Sequence, residues 1–307
     1  MLDSRSNLWA IVLAGGEGTR LAPLTRALYG TELPKQFAVL SGTRSMLQAT
    51  VDRALSLVPH ERIVVVVARH HEALAREQLR EWRHIHLLVQ PCNLDTGPGL
   101  LLPLAWIRGR DRNARAVILP ADHYVARPEA LVTTIEQAEA ASRLDDNMVA
   151  LFGAEPDRAD TEYGWIVPGR RLPRLGMRAV HRFFEKPGPE LAEELLQLGA
   201  LWNTFIIVGS VETLWKMSER HMPEHAECLS RCLLLQDLDR AYAALPPCNY
   251  SRTVLERAEN LALIPLRGAG WSDWGTPRRV FESLEGTGDH QLLLNRIGAP
   301  RAVHAMA

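Results

Sequence analysis

The first half of the chain alternates short apolar runs with longer stretches of helical periodicity. The runs predict strands at 9–14, 63–68, 85–89, 116–119 and 148–153, and the stretches predict helices at 45–57, 72–82, 99–108 and 128–142. Strands that are apolar on both faces and separated by helices indicate a parallel sheet with helices on both sides. Such a sheet binds ligands at the carboxyl ends of its strands. We therefore expect the chemistry to lie there.

The second half mixes strands that are richer in turns with further helices. Strands are predicted at 163–167, 180–185, 203–208 and 261–265, and helices near 190–198, 211–220 and 224–245. No linker, low-complexity tract or repeat interrupts the pattern. The sequence therefore predicts one continuous α/β unit with a substrate-binding half embedded in it.

Composition narrows the class of protein. The chain has 307 residues, 47% of them hydrophobic, with a formal net charge of -1, which is typical of a globular protein. A near-neutral charge argues against a broad surface for nucleic acid. The opening residues 1–7 are polar and do not form a signal peptide, and runs such as 63–68 are too short to span a bilayer. We expect neither a nucleic-acid nor a membrane partner.

The four cysteines indicate a reducing compartment. None of Cys92, Cys228, Cys232 and Cys248 forms a CxxC pair, and a chain of this size does not need disulfides. Cys228 and Cys232 are one helical turn apart, and we interpret them as small apolar residues on a helix and not as metal ligands. The expected location is the cytoplasm.

Lysine is rare, and its positions are informative. Of 35 basic residues only Lys35, Lys186 and Lys216 are lysines. A compact ammonium differs from a planar guanidinium in the sites it fits. Lys35 and Lys186 both fall within the motifs described next, so we expect them to be functional.

A glycine-rich segment follows the first predicted strand. Residues 13–21 read LAGGEGTRL, and residues 34–37 read PKQF. Glycines after a buried strand let backbone N–H groups approach phosphate oxygens or a base edge, while Arg20 and Lys35 supply positive charge. The spacing matches neither a Walker P-loop nor a Rossmann fingerprint. The segment predicts a site for a polyphosphate.

These residues resemble the sugar nucleotidyltransferase family, and most closely its mannose-1-phosphate guanylyltransferase branch. The family signature LAGGxGTRLxPLT/SR followed by PKQF corresponds to residues 13–26 and 34–37. Four later segments resemble family motifs in the same order: PADH at 120–123, FEKP at 184–187, WNT at 202–204 and WSD at 271–273. The resemblance thus extends over most of the chain.

The resemblance implies a Rossmann-like three-layer α/β/α fold with a mixed, mostly parallel central sheet. Residues 1–285 would form it, with a nucleotide-binding half at about 1–155 and a sugar-phosphate-binding half at about 156–285, followed by a short tail at 286–307. No further isomerase or β-helix domain is expected. The implied reaction transfers a nucleotidyl group from a nucleoside triphosphate to a sugar-1-phosphate, with GTP and mannose-1-phosphate giving GDP-mannose and pyrophosphate, and with Mg²⁺ as the cofactor.

The resemblance also implies roles for individual residues. Arg20 and Lys35 would be catalytic, and Asp122 and Asp273 would bind the metal. The nucleotide would contact Leu13, Ala14, Gly15, Gly16, Gly18, Thr19, Gln90, Thr96 and Pro98. The sugar phosphate would contact Gly164, Glu185, Lys186 and Asn203.

The chemistry of the reaction fits these residue types. Two phosphorylated substrates bring repelling charges together, and a divalent cation with nearby basic groups offsets them. The second pKa of a phosphate monoester is about 6, so the nucleophile is already ionised and needs no general base. Catalysis is then positioning plus charge stabilisation. His123 is interpreted as a structural neighbour of Asp122.

Alternatives remain open at this point. Leu94 and Asp95 stand where the branch carries Arg and Asn, in a segment that otherwise keeps Pro91, Thr96 and Pro98. The same chemistry with UTP, dTTP or ATP and glucose-1-phosphate is one alternative. A cytidylyl or molybdopterin nucleotidyltransferase would share the glycine-rich segment but not the motifs at 184–187 and 202–204. A non-catalytic nucleotide-sugar sensor is the alternative from another class. The oligomeric state is also open, including a homo-oligomer.

Overall fold

A nine-stranded sheet passes through the centre of the molecule in a computed structural model that describes residues 7–235 and 237–298, without the side chains of residues 232–235. In chain order the strands of the molecule are β1 Leu8–Leu13, β2 Ile63–Ala68, β3 His86–Gln90, β4 Arg115–Pro120, β5 Tyr124–Val125, β6 Val149–Ala154, β7 Gly164–Leu172, β8 Met177–Glu185, β9 Leu201–Ser210, β10 Leu261–Pro265 and β11 Trp271–Ser272. β5 and β11 pair with each other in a small separate sheet.

The central sheet has the strand order β3-β2-β1-β4-β9-β6-β10-β8-β7, and β7 also pairs with β9. β8 and β9 run against the other strands, and the pairs among β1, β2, β3 and β4 are all parallel. The predicted mixed, mostly parallel sheet is confirmed. In register, Leu13 of β1 lies beside Val66 of β2 and Pro120 of β4. The carboxyl ends of these strands therefore meet at one edge.

Helices cover both faces of the sheet. They are α1 Ala22–Tyr29, α2 Met46–Leu55, α3 Glu72–Gln78, α4 Thr96–Arg108, α5 Pro128–Ser142, α6 Pro189–Gln197, α7 Val211–His221, α8 Pro223–Leu235, α9 Leu238–Ala244, α10 Tyr250–Thr253, α11 Pro277–Leu284 and α12 Gly288–Ile297. None of the described helices is long and apolar enough to cross a membrane.

Alternation along the buried strands separates two hydrophobic layers. Ala10 and Val12 of β1 pack in one cluster with α2, α3 and α5, whereas Trp9 and Ile11 pack in the other with α4, α7, α8 and α9. A strand that is covered on both faces must be apolar at every position. The strand at residues 63–68, β2, meets this requirement. The three-layer α/β/α arrangement that the sequence predicted is confirmed.

A third cluster lies beside the sheet and holds together distant parts of the chain. Leu21 and Leu24 from the start of the chain pack with Trp274, Leu284 and Leu293 from its last described part. Leu21 follows Arg20, and Trp274 follows Asp273. The cluster therefore fixes two of the segments on which the predicted site depends.

Most predicted elements are present, and several elements differ from the prediction. The helix predicted at 224–245 is two helices, α8 and α9, and Asp237 caps the second by accepting a hydrogen bond from the Arg240 N–H (3.2 Å). Helix α1 occupies a segment in which no helix is predicted, and α12 occupies part of the predicted tail. The short elements β5 and β11 and the helices α10 and α11 were not predicted either. The interpretations of residues 1–6, of the Cys232 side chain and of residues 299–307 fall outside the described residues.

Candidate active site

The glycine-rich loop after β1 is held by backbone and side-chain contacts to the turn at Lys35–Phe37. The Gln36 amide donates hydrogen bonds to the carbonyl oxygens of Ala14 (3.1 Å) and Gly16 (2.7 Å). Gly18 has φ +63°, and a Cβ there would lie 2.5 Å from the Lys35 nitrogen. Only glycine fits this position, because the loop passes so close to the turn.

A cavity of about 450 Å³ opens at the carboxyl ends of β1, β2 and β4. Of the nine predicted nucleotide-binding residues, six line it: Leu13, Ala14, Gly15, Gly16, Gln90 and Thr96. Gly18, Thr19 and Pro98 are not among the lining residues. Pro98 is buried beneath the cavity, where its carbonyl oxygen accepts a hydrogen bond from the Tyr242 hydroxyl (3.4 Å).

Lys35 is buried between the two predicted metal-binding segments. Its Nζ lies 2.9 Å from Asp122 Oδ2 and donates to the Asp273 carbonyl oxygen at 2.5 Å. Only 4% of the residue is exposed. The ammonium therefore joins the end of β4 to the turn after β11, although 238 residues separate Lys35 from Asp273.

The Asp273 carboxylate is fixed by several donors. Arg279 NH1 lies 3.0 Å from Oδ1 and 3.1 Å from Oδ2, and Oδ1 also accepts from the Tyr163 hydroxyl (2.7 Å) and the Gly275 N–H (3.0 Å). Burial opposes ionisation, but the charges of Lys35 and Arg279 outweigh it and hold the pKa of Asp273 below its usual range. The group is ionised at neutral pH.

Asp122 is ionised for a similar reason. Burial would raise its pKa, but Lys35 and the nearby His123 lower it, and the net shift is downward. Burial lowers the pKa of His123, whose Nδ1 accepts a hydrogen bond from Trp271 Nε1 (3.3 Å). His123 is thus a positioned neighbour of the carboxylate, and its burial disfavours the charged imidazolium.

The two carboxylates match the ligand preference of a hard divalent cation. Mg²⁺ takes oxygen ligands and is often held by one or two carboxylates together with substrate phosphates. Asp122 and Asp273 are both ionised and both contact Lys35. Because the Asp273 carboxylate already accepts hydrogen bonds from Arg279, Asp122 would be the more available of the two for a cation, and phosphate oxygens would have to complete the coordination.

The four predicted sugar-phosphate residues form a second group. A Cβ on Gly164 would lie 2.8 Å from Glu185 Oε2 and 3.3 Å from Asn203 Cβ, so these residues are adjacent. Lys186 follows with φ +50°, and its N–H donates to the Tyr163 carbonyl oxygen (3.2 Å). Burial raises the pKa of Glu185, against the opposing effect of Lys186.

Glu162 connects this group to the phosphate-binding side. Its Oε2 lies 3.2 Å from Arg20 NH1 and 3.9 Å from Lys186 Nζ. Arg20 NH2 in turn lies 3.8 Å from Asp273 Oδ2. Phe205, whose N–H donates to Asn203 Oδ1 (3.1 Å), lines the cavity. The predicted sugar-phosphate residues are therefore linked to Arg20 through Glu162 and to the cavity through Phe205.

Several site residues were not predicted. Gln36 stands inside the PKQF motif, and Glu162 and Tyr163 directly precede Gly164, so their neighbours in sequence could have suggested them. Arg279 carries no such signal. It is buried, pairs with Asp160 and Asp273, and lies with its Cζ 4.5 Å from the centre of the Tyr163 ring.

The chain is similar in sequence to curated proteins of known name. The chain is 30% identical over 298 residues to the mannose-1-phosphate guanylyltransferase ManC of Salmonella typhimurium strain LT2, covering 92% of this chain and 60% of that protein. It is 29% identical over 295 residues to the mannose-1-phosphate guanylyltransferase of Escherichia coli strain K12, covering 91% and 60%. The chain thus spans about three fifths of the length of these curated relatives.

Solved structures share the fold. A Thermus thermophilus protein described as mannose-1-phosphate geranyltransferase is 32% identical with a TM-score of 0.81, over 91% of this chain and 79% of that one. A mannose-6-phosphate isomerase from Helicobacter pylori, 20% identical, has a TM-score of 0.70 over 86% and 99%, and shows the fold alone. The nucleotidyl transferase family model matches residues 9–289. This chain is a member of the nucleotidyl transferase family.

Proposed function

We propose that this chain transfers a guanylyl group from GTP to mannose-1-phosphate, forming GDP-mannose and releasing pyrophosphate. The names of relatives that are about 30% identical over most of the chain support this choice of substrates. The observation that carries the proposal is the buried ammonium of Lys35, which lies between the carboxylate of Asp122, a residue that lines the cavity, and the carbonyl oxygen of Asp273. That arrangement suits stabilisation of charge on phosphates.

The reaction needs one bond to form and one to break. An oxygen of the sugar phosphate attacks the α-phosphorus of the triphosphate, and the bond from that phosphorus to the bridging oxygen of pyrophosphate breaks. The attacking phosphate is already ionised near neutral pH. We assign Lys35 and Arg20 to stabilise the charge on the α-phosphate and on the leaving group, and Lys186 to bind the incoming phosphate.

The position of Glu162 between Arg20 and Lys186 supports these roles. Glu162 pairs with both at 3.2 and 3.9 Å, and these pairs are partly exposed, so they cost little to exchange for phosphate contacts. Glu185 and Asn203 would hydrogen-bond the sugar hydroxyls. Gly164 lies against both, and a Cβ at this position would lie 2.8 Å from Glu185 Oε2 and displace it.

The nucleotide is assigned to the cavity at the ends of β1, β2 and β4. Its polar lining side chains can hydrogen-bond a base or a ribose: Gln36, Gln90, Asn93, Asp95 and Thr96. The Asp95 carboxylate can accept from a donor-bearing base edge, and guanine offers an amino donor. Because like charges repel, the Asp95 carboxylate fits better beside the base of the nucleotide than beside its phosphates.

Mg²⁺ is the proposed cofactor, with Asp122 and Asp273 as its protein ligands. When bound, it would supply charge neutralisation for the phosphates. Cytoplasmic location is also proposed, because Cys92 and Cys248 are free thiols and such thiols persist in a reducing compartment.

The experiment that tests the function measures pyrophosphate release with Mg²⁺, each of five nucleoside triphosphates, and a panel of sugar-1-phosphates. GTP with mannose-1-phosphate should be the best pair. Faster release with another pair would keep the chemistry and overturn the substrates. Nucleotide binding without release for any pair would favour the sensor alternative.

Asp122→Asn tests the metal assignment. It should lower kcat/KM for pyrophosphate release about a hundredfold or more, because a ligand to the proposed cation and the ion-pair partner of Lys35 are lost together. Asp239→Asn removes an exposed carboxylate that pairs with Arg69 and should leave the rate unchanged. Near-native activity of Asp122→Asn, with a native circular dichroism spectrum, would contradict the assignment.

A further inference from the structure

Three potential metal ligands meet on the outer side of the glycine-rich loop. Glu17 belongs to the loop itself, and His70 and His71 belong to the turn directly after β2. One ligand atom from each residue lies within 4.8 Å of the other two. Among the described residues, excluding the side chains of residues 232–235, no other group of three potential ligands lies this close together. None of the three has a role in the proposed reaction.

His71 lacks the hydrogen bond that a buried imidazole normally has. The residue is 5% exposed, and its Nδ1 is inaccessible to solvent with no hydrogen-bond partner among the described residues. An unsatisfied buried polar atom costs about 1 to 3 kcal/mol. The ring is held between Phe37, with centroids 5.4 Å apart, and His70, at 3.9 Å. A ligand for the imidazole would explain why a histidine occupies this place.

The two exposed residues of the group are already in contact with each other. His70 Nε2 lies 3.0 Å from Glu17 Oε2. Two ligands bound tetrahedrally to one zinc ion at about 2.1 Å are about 3.4 Å apart, so the existing separation is close to that of two coordinating atoms. Glu17 and His70 are exposed and can adjust.

We propose that Glu17, His70 and His71 bind a transition-metal ion of the Zn²⁺ type through two imidazole nitrogens and one carboxylate oxygen. Two histidines and a carboxylate make a common three-ligand set for zinc, with the fourth position left to water. Nitrogen ligands disfavour Mg²⁺, so this site differs in kind from the pair Asp122 and Asp273.

The ion would tie the glycine-rich loop to the carboxyl end of β2. Glu17 stands between Gly16, which lines the cavity, and Gly18, which packs on Lys35. The site would therefore fix the loop from its outer side. This inference does not depend on the identity of the substrates.

Cobalt absorption tests the site directly. The full chain is titrated with Co²⁺ in excess Mg²⁺, which occupies oxygen-only sites, and visible d–d absorption reports tetrahedral coordination by nitrogen. The native chain should develop the band, and Zn²⁺ should displace it. Glu17→Gln and His70→Gln each remove one exposed ligand and should weaken Co²⁺ binding about tenfold or more. His84→Gln, an exposed histidine elsewhere, is the matched control and should not change the titration.

Thermal unfolding gives a second readout. Zn²⁺ should raise the unfolding midpoint of the native chain and of His84→Gln, and should raise that of Glu17→Gln less, because an ion stabilises a fold according to its affinity. No visible band in the native chain would overturn the proposal. So would a band of unchanged affinity in Glu17→Gln or His70→Gln.

Discussion

Lys35 and Lys186 use the same charged group in different ways. Lys35 is enclosed, with its ammonium between Asp122 and the Asp273 carbonyl oxygen, whereas the side chain of Lys186 is 47% exposed and lies beside Glu162. A compact ammonium fits the enclosed position, and a guanidinium fork would need more room and more acceptors. The enclosed position of Lys35 therefore explains why a lysine, and not an arginine, stands there.

Lys35→Gln should lower kcat/KM for pyrophosphate release by a factor of hundreds, because it removes a buried charged donor. Lys35→Arg should not restore the rate, since the planar fork does not fit. Lys216→Gln removes a lysine whose side chain is 69% exposed and serves as the control. Lys35→Arg activity within a fewfold of native would show that only charge matters at this position.

The ionisation of Glu185 should make the stability of the folded chain depend on pH. Burial raises its pKa in the folded chain above the ordinary 4.5, so the unfolded chain releases this proton first as pH rises. The folded state therefore loses stability from about pH 4.5 upward, through the raised pKa. Glu185→Gln does not titrate and should unfold at a higher temperature than native at pH 7, but not at pH 4.

The same substitution should reduce activity about tenfold, because a charged acceptor for a sugar hydroxyl is replaced by a neutral one. Thermal unfolding at both pH values and the KM for sugar-1-phosphate are the measurements. A stability difference that is equal at pH 4 and pH 7 would contradict the assigned ionisation.

Elements that are defined by local pattern could be predicted from the sequence. β2, α5 and β10 have the predicted bounds, since a continuous apolar run or a proline at the first helical position marks them. The sequence pattern could not distinguish α1 from the glycine-rich loop that the helix directly follows. The break between α8 and α9 could not be predicted because no glycine or proline marks it. The role of Arg279 depends on contacts between elements, which periodicity does not encode.

The glycine-rich loop allows a controlled comparison at the scale of elements. Gly18 and Gly42 have nearly equal φ, +63° and +60°, but only Gly18 has a neighbour within 4 Å of an added Cβ. Both alanine substitutions should cost about 1 to 2 kcal/mol for the left-handed backbone. Gly18→Ala should cost more and should also abolish pyrophosphate release, because the loop is pushed from the Lys35 turn. Urea unfolding and activity are measured for both, and equal results would contradict the close packing.

At the scale of the whole molecule, the site depends on a cluster that brings the two ends of the described chain together. Leu293 of α12 is buried in it with Leu21 and Trp274, whereas the neighbouring Leu292 is 59% exposed. Which residues would meet across so long a stretch of sequence could not be predicted from local pattern. The predicted convergence of Asp122 and Asp273 relied on family resemblance instead.

Leu293→Ala should lower the free energy of unfolding by about 2 to 5 kcal/mol, as expected for a cavity in a core. Leu292→Ala should change it by no more than about 0.5 kcal/mol. Urea denaturation at pH 7 measures both. Activity of Leu293→Ala should also fall, because the cluster supports the segments that carry Arg20 and Asp273. Similar stabilities for the two variants would show that α12 is dispensable.

The strand order has a consequence for the growing chain on the ribosome. β6 ends at Ala154 and is flanked by β9 and β10, the second of which ends only at Pro265. At about 5 to 20 residues per second, β6 waits roughly 5 to 20 s for its last neighbour. During that interval an apolar strand has an open edge, which is where unwanted pairing with other chains begins. The sheet of the nascent chain therefore keeps this exposed edge until β10 has been synthesised.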